Sequence, residues 1–185
     1  MPNFFTRKGD DGTTGVLGGD RISKDDPRIE ALGSLDEASA ALGVARSATA
    51  DPGIKGLIMD IQRDLYMIMT EVAATGEKKN SFKNLEEKRL SWLEEIIETF
   101  SSNIEIPKEF ILPGDNPSAA AISLARTVIR RAERRMVELA STGQRFNTLV
   151  LRYLNRLSSL CFILELVESN RDGNKPTLSK RSQQQ

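Results

Sequence analysis

From about residue 27 to about residue 170 the apolar residues of this chain recur every three to four positions, the rhythm of amphipathic helices rather than of strands. Ile54, Leu57, Ile58, Ile61, Leu65, Ile68 and Val72 form the clearest stripe and predict a helix ending near Thr75-Gly76. Before it, Asp26-Pro27 supplies an N-cap followed by proline at the first helical position. Ile29, Leu32, Leu35 (or Asp36), Leu42 and Ala45 then carry a first helix to about Ala48. Leu90, Leu93, Ile97 and Phe100 predict a third helix, with Asn84 and Glu87 at capping-box spacing ahead of it. Asn116-Pro117 opens a fourth to about Ala140, closed by Gly143, with Ile122, Ala125, Ile129, Ala132, Met136 and Leu139 inward. A fifth runs from about Asn147 to Glu168 on Leu149, Tyr153, Leu157, Leu160, Leu164 and Val167. Helices of about 20 residues are about 30 Å long, and five joined by short links predict an all-α, five-helix bundle.

Two stretches lack this rhythm. Residues 1–26 are rich in Gly and Thr and predict loop and turns, with short extended pieces around Phe4-Phe5 and Val16-Leu17. Residues 171–185, RDGNKPTLSKRSQQQ, predict a polar, disordered tail. The expected organisation is an N-terminal loop over 1–26, one helical domain over 27–170 and the tail over 171–185.

Composition narrows the chemistry. The 185 residues carry 26 Lys+Arg against 26 Asp+Glu, so neither nucleic acid nor membrane is an expected partner of the whole surface. Histidine is absent, which excludes an imidazole base, a histidine-ligated metal and a Ser/His/Asp triad. The lone Cys161 cannot close an intrachain disulfide and fits a reducing compartment. No signal stretch and no run of about 18 apolar residues is present, so the expectation is a soluble, cytoplasmic protein.

Four segments can carry chemistry. The opening stretch combines clustered glycines, whose backbone N–H groups can turn toward an anion, with Thr6, Arg7, Lys8, Thr13 and Thr14. It can cradle a polyphosphate, although it lacks the order of a P-loop and by pattern alone also reads as a solvated terminus. LARTVIRRAERR places Arg126, Arg130 and Glu133 on one stripe of the fourth helix, at the border of its apolar face. Such arginines either salt-bridge on a solvent face or grip a carboxylate or phosphate bidentately. In RYLNRLSS, Asn155 interrupts an apolar helix; spacing favours a residue that sets helix register, with ligand contact as the alternative. FILPGD makes a stiff loop in which Phe110 either plugs the end of the core or is held out at a helix junction.

In this order and at these separations, TRKGDDGTTG, GGDRISKDDPRIEALGSLDE, FILPG, ARTVIRRAER and YLNRLS resemble the PduO-type ATP:cob(I)alamin adenosyltransferases, from about Phe5 to Asn170. The resemblance implies a five-helix bundle that forms homotrimers, with ATP and corrinoid between subunits. It implies transfer of the 5′-deoxyadenosyl group of ATP to cobalt, with release of triphosphate and help from Mg²⁺. By it, Thr6, Arg7, Gly9, Asp10, Gly12, Thr14 and Lys24 wrap the triphosphate, and Arg130, Arg131, Glu133 and Asn155 contact the nucleotide. Arg126 pairs with Asp36 of a neighbouring copy, and Phe110 occupies the lower face of the corrin and displaces the axial base. Arg130, Glu133 and Phe110 become the expected catalytic residues, with Ser159 in the corrin pocket. A reductase and a cobalamin-dependent enzyme are implied as partners. The chain departs from the family pattern at Asp115 for Gly, Ser123 for His and Ser159 for an acid, and FILELVESN replaces an apolar stretch ending in Ala-Arg. These departures gather on the corrin-pocket segments, so an ATP- or corrinoid-binding sensor or carrier with little turnover is the alternative reading.

Overall fold

The computed structural model describes residues 5–76, 81–173 and 175–180. Its helices are α1 Pro27–Ala48, α2 Pro52–Ala73, α3 Glu87–Ser101, α4 Pro117–Ser141 and α5 Leu149–Ser169. Three of them begin in the same way. A proline, which has no N–H to leave unpaired, takes the first helical position, and the residue before it caps the turn. Asp26 accepts from the Arg28 N–H, Asp51 from those of Gly53 and Ile54, and Asn116 from that of Ala119.

α1 packs on α2 and α4, and α5 on α4 and α3. The stripes expected of α2 and α4 are all buried. The inward face of α1 is rotated from expectation: Ala31, Leu35, Ala38, Leu42 and Ala45 are buried, whereas Ile29 and Leu32 are half-buried. The small side chains of that face, like Ala125 and Ala132 on α4, allow close helix approach, which the periodicity of large residues does not reveal. The capping box expected at Asn84 and Glu87 does not form. The N-cap of α3 is Glu86, without a side-chain cap, because Leu85 is buried and its carbonyl accepts from Asn147 Nδ2 at 2.7 Å, holding the chain extended up to the helix.

One buried polar cluster joins three helices. Asp64 on α2 accepts from Arg89 Nε and Nη2 on α3, at 3.0 and 2.6 Å, and from the Tyr153 hydroxyl on α5 at 2.7 Å. Burial, together with the charge of Asp64, pushes the Tyr153 hydroxyl well above its ordinary pKa, so it stays a donor. Arg89 also stacks on Trp92, 3.9 Å from the ring centroid.

The described segments 5–26 and 175–180 carry more structure than the sequence suggests. β1 Thr13–Gly15 and β2 Arg21–Ser23 form an antiparallel hairpin with Thr14 opposite Ile22. At Val16-Leu17, where an extended piece is expected, the Val16 N–H bonds Asp20 O beside the turn at Gly18-Gly19, and Leu17 forms a parallel β-bridge with Ala74 at the end of α2. The Leu17 N–H donates to Ala73 O at 2.9 Å and its carbonyl accepts from the Thr75 N–H at 2.7 Å, so the N-terminal segment satisfies groups that a helix end leaves open. A Cβ at Gly18 would stand 2.2 Å from Thr75 Oγ1, so this approach requires glycine. Phe4 lies outside the described residues.

The expected disordered tail is instead tied down over 175–180. Leu178 bridges Ile111, the Leu112 N–H donates to Thr177 O at 2.7 Å and the Ser179 N–H to Phe110 O at 2.8 Å. The Thr177 hydroxyl donates to Asp115 Oδ1 at 2.6 Å. The polar composition pointed to a solvated end, but the acceptors for these donors are supplied by a loop far earlier in the chain, Asp115 lying 62 residues before Thr177. Residues 181–185 lie outside the described residues.

Asp64→Ala leaves Arg89 and the Tyr153 hydroxyl without their acceptor, and we expect a loss of about 3–5 kcal/mol in unfolding free energy, measured by urea denaturation.

Candidate functional site

The N-terminal loop is folded around a residue the sequence reading passed over. Arg21 on β2 donates from Nε to Thr13 Oγ1 at 3.0 Å and from Nη2 to the carbonyl of Lys8, closing the loop into a ring. Asp11 accepts from the Thr13 N–H at 2.9 Å and from its hydroxyl at 2.8 Å, and these bonds hold its carboxyl below the ordinary aspartate value. The Lys24 ammonium donates to Gly9 O at 2.7 Å, which spends one of its three donors. Gly12 lies at φ 82°, and Arg7, at φ 61°, is the sole non-glycine at positive φ among the described residues. Strained or glycine-dependent backbone at two points lets this short loop close on itself, with the N–H groups of Lys8, Asp10, Gly12 and Thr13 bonded inside it. Thr6, Arg7, Asp10, Gly12 and Lys24 are all exposed, while Gly9 and Thr14 are half-buried.

On the bundle, helix rotation divides the arginines of α4. Arg131 pairs with Glu37 and Arg135 with Glu30, so these two are bound to α1. Arg130 is exposed and makes no ion pair among the described residues; Glu133 accepts from Asn155 Nδ2 of α5 at 3.3 Å. Asn155 in turn accepts from Arg156 at 2.9 Å. It is exposed, which removes the buried register role favoured by its spacing and leaves its side chain at the surface beside Glu133. Asp36 is exposed on α1 and has no ion-pair partner among the described residues of its own chain.

Phe110 is 85% exposed, so it does not plug the core. It overhangs a cavity of 390 Å³ lined also by Ile106, Ile111, Arg126 and Phe162. A second cavity, of 440 Å³, shares Ile106, Arg126 and Phe162 and continues to Arg130, Ser158 and Ser159. The fold thus gathers Phe110, Arg126, Arg130 and Ser159, drawn from a loop and two helices, about one partition formed by Arg126 and Phe162. Phe162 was not singled out in the sequence because an aromatic in an apolar helix reads as core. The two halves of the predicted site stay apart: among the described residues no hydrogen bond or ion pair links the 6–24 loop to Arg130, Glu133 or Asn155. Also among those residues, no cluster of three acidic or cysteine side chains is placed to hold a metal, and no helix is long and apolar enough to cross a membrane.

The chain matches the family model described as cobalamin adenosyltransferase over residues 4–168. It is 39% identical over 168 residues to the corrinoid adenosyltransferase PduO of Salmonella typhimurium, covering 90% of this chain and 50% of that protein. It is 38% identical over 174 residues to the corrinoid adenosyltransferase of Bacillus subtilis, covering 92% and 88%. The chain therefore spans about half the length of the PduO proteins of Salmonella typhimurium and Citrobacter freundii. Among solved structures it resembles a variant of the PduO-type ATP:corrinoid adenosyltransferase from Lactobacillus reuteri, complexed with cobalamin and ATP. The TM-score there is 0.89 at 30% identity, covering 97% of this chain and all of that one. Sequence and fold agree over nearly the whole length, and this chain belongs to the cobalamin adenosyltransferase family.

Proposed function

We propose that this protein transfers the 5′-deoxyadenosyl group of ATP to the cobalt of cob(I)alamin, giving adenosylcobalamin and triphosphate. The observation that carries the reading is Phe110: a bulky apolar side chain, 85% exposed, is held beside a cavity whose far wall leads to Arg130, an arginine without an ion pair among the described residues. Exposing an aromatic to water is unfavourable unless a ligand covers it. Under a corrin ring it excludes water and an axial base from the lower face of cobalt, which eases reduction to Co(I). The Ser179 N–H, donating to the Phe110 carbonyl, and the Leu112 N–H, donating to Thr177 O, hold it there.

Cob(I)alamin is itself a strong nucleophile, so the chain needs no base, and the absence of histidine is no handicap. The protein's task is to align the 5′ carbon with cobalt and to receive the polyanionic leaving group. Arg130, together with the exposed Arg7 and Lys24 of the N-terminal loop, suits the triphosphate. Glu133 and Asn155 suit the rest of the nucleotide. Arg131 suits it less directly, because Glu37 already occupies its guanidinium. Mg²⁺ carried by nucleotide phosphates needs only one or two protein carboxylates, and exposed Asp10 fits that demand.

Because loop and helix residues are not joined within one chain, the reading includes a homotrimer in which the loop of one copy meets α4 and α5 of the next. Val44 on α1 and Leu124 and Val137 on α4 are each more than half exposed and suit such an interface, with Asp36 reaching Arg126 of a neighbour. A reducing compartment such as the cytoplasm, a reductase that supplies the electron and a cobalamin-dependent enzyme that takes the product complete the proposal.

Anaerobic mixing with ATP, Mg²⁺ and reduced cobalamin should convert the cob(I)alamin spectrum to that of adenosylcobalamin; ATP binding without conversion would favour the sensor or carrier reading instead. Arg130→Ala should lower kcat/KM for ATP by about 10²–10³, and an unchanged value in steady-state kinetics would remove its assigned role. Asp36→Ala should shift the trimer toward smaller species in sedimentation velocity while the melting temperature of the isolated chain stays the same.

A further inference from the structure

Among the buried carboxylates of the described residues, Glu165 is the least satisfied. It lies on α5 with its side chain 1% exposed, and neither carboxylate oxygen has a hydrogen-bond partner. Glu168, one turn later and equally buried, shows what a settled acid looks like here. It accepts from Thr49 at 3.0 Å and from the Ser118 hydroxyl, and pairs with Arg171 at 2.9 Å. Nothing in the packing of α5 calls for an acid at residue 165, since Leu157, Leu160, Cys161 and Leu164 make that face apolar. An apolar residue there would avoid the desolvation of an unpaired carboxylate.

Among the described residues, the one cation within ion-pair distance is Arg126 of α4, its Nε 3.6 Å from Glu165 Oε2. That separation is too long for a hydrogen bond, and the same Nε has no other acceptor there. Arg126 is 30% exposed and lines both cavities, so one side of its guanidinium faces a buried carboxylate and the other faces the space that Phe110 overhangs. We propose that Glu165 is a positioning residue, the in-chain counter-charge that holds Arg126 at the wall between the two cavities and thereby sets how firmly that wall grips a corrinoid. The inference rests on reading that wall as the corrinoid site. The guanidinium is a planar donor array, suited to the amide carbonyls that fringe a corrin.

The surroundings make this positioning dependent on pH. The titratable and charged groups facing Glu165 are Arg126 from α4, Cys161 from its own helix and Asp115 from the loop before α4, with the Ser123 hydroxyl beside them. Burial raises the carboxyl above the ordinary glutamate value. The Ser123 hydroxyl and Arg126 pull it partly back, and the negative charge of Asp115 raises it further. Cys161, pushed up to about 12 by burial, stays a neutral thiol. Protonation of Glu165 therefore begins at a higher pH than for a solvated glutamate and, as pH falls, removes the in-chain half of the hold on Arg126, leaving only the Asp36 proposed to reach it from a neighbouring copy. In the sequence, Asp115, Ser123 and the FILELVESN stretch that contains Glu165 are separate departures from the family pattern. The fold brings them together around Arg126.

The test is the affinity of the whole protein for cob(II)alamin with ATP saturating, followed anaerobically by absorbance between about pH 5.5 and about pH 8.5, with ATP affinity measured by calorimetry. At about pH 8 we expect Glu165→Gln to bind cob(II)alamin about tenfold more weakly than the wild type, with ATP affinity within about twofold and no loss of melting temperature. The wild-type affinity should fall toward that of the Glu165→Gln variant as pH is lowered, and the profile of the variant should be flat. Glu165→Leu, which removes the charge and keeps an apolar core, should match Glu165→Gln. Identical pH profiles in wild type and Glu165→Gln, or equal losses for ATP and corrinoid, would overturn the proposal. Failure of the wild type itself to bind cob(II)alamin would instead remove the corrinoid reading of the wall, and this inference with it.

Discussion

The close packing of α4 against α1 and α5 governs the rest of the molecule. α1 and α4 both present buried alanines, Ala31, Ala38 and Ala45 on one and Ala125 and Ala132 on the other, so these helices can approach closely and rotate little. That rotation decides what each arginine of α4 can do. Arg131 and Arg135 face the acids of α1 and are neutralised there. Arg130, Glu133 and Arg126 turn toward α5 and meet Asn155, Glu165 and the two cavities. One charged run is thereby split between a structural and a functional face, and a register shift in α4 would disturb both at once.

The ends of the chain act as fasteners for the loops that carry the chemistry. The N-terminal segment bonds the end of α2, which fixes where its glycine-rich hairpin leaves the bundle. The segment 175–180 bonds the carbonyl of Phe110 and the N–H of Leu112, and Asp115 adds a carboxylate anchor for Thr177. Each contact is a short backbone ladder at the surface, individually worth about 1 kcal/mol. Their effect is to remove conformational freedom from loops that would otherwise have to be ordered when a ligand arrives.

Buried charge is distributed with the same logic. Asp64 and Glu168 are surrounded by donors, join elements distant in sequence and stabilise the bundle. Glu165 makes no such hydrogen bonds, with only Arg126 at 3.6 Å and the Ser123 hydroxyl beside it, and stands behind the cavity wall. The contrast separates polar residues that hold the core together from one whose desolvation is tolerated for what it does to its neighbour.

The helical count, the caps at Asp26 and Asn116 and the core of α2 and α4 were legible in the sequence because they depend on local periodicity and on neighbours within four residues. The five ordered motifs also identified the family, since they record residue types in a fixed order. Other features depended on which distant groups meet. The rotation of α1 onto its small residues, the Arg21 ring, the ordered 175–180 segment and the unpaired setting of Glu165 each rest on contacts between separate elements. Burial turned Asn155 from a candidate register residue into a surface one, and Phe110 from a candidate core plug into an exposed aromatic. Spacing along the chain states which side chains share a face; only the packed helices decide which of those faces is covered.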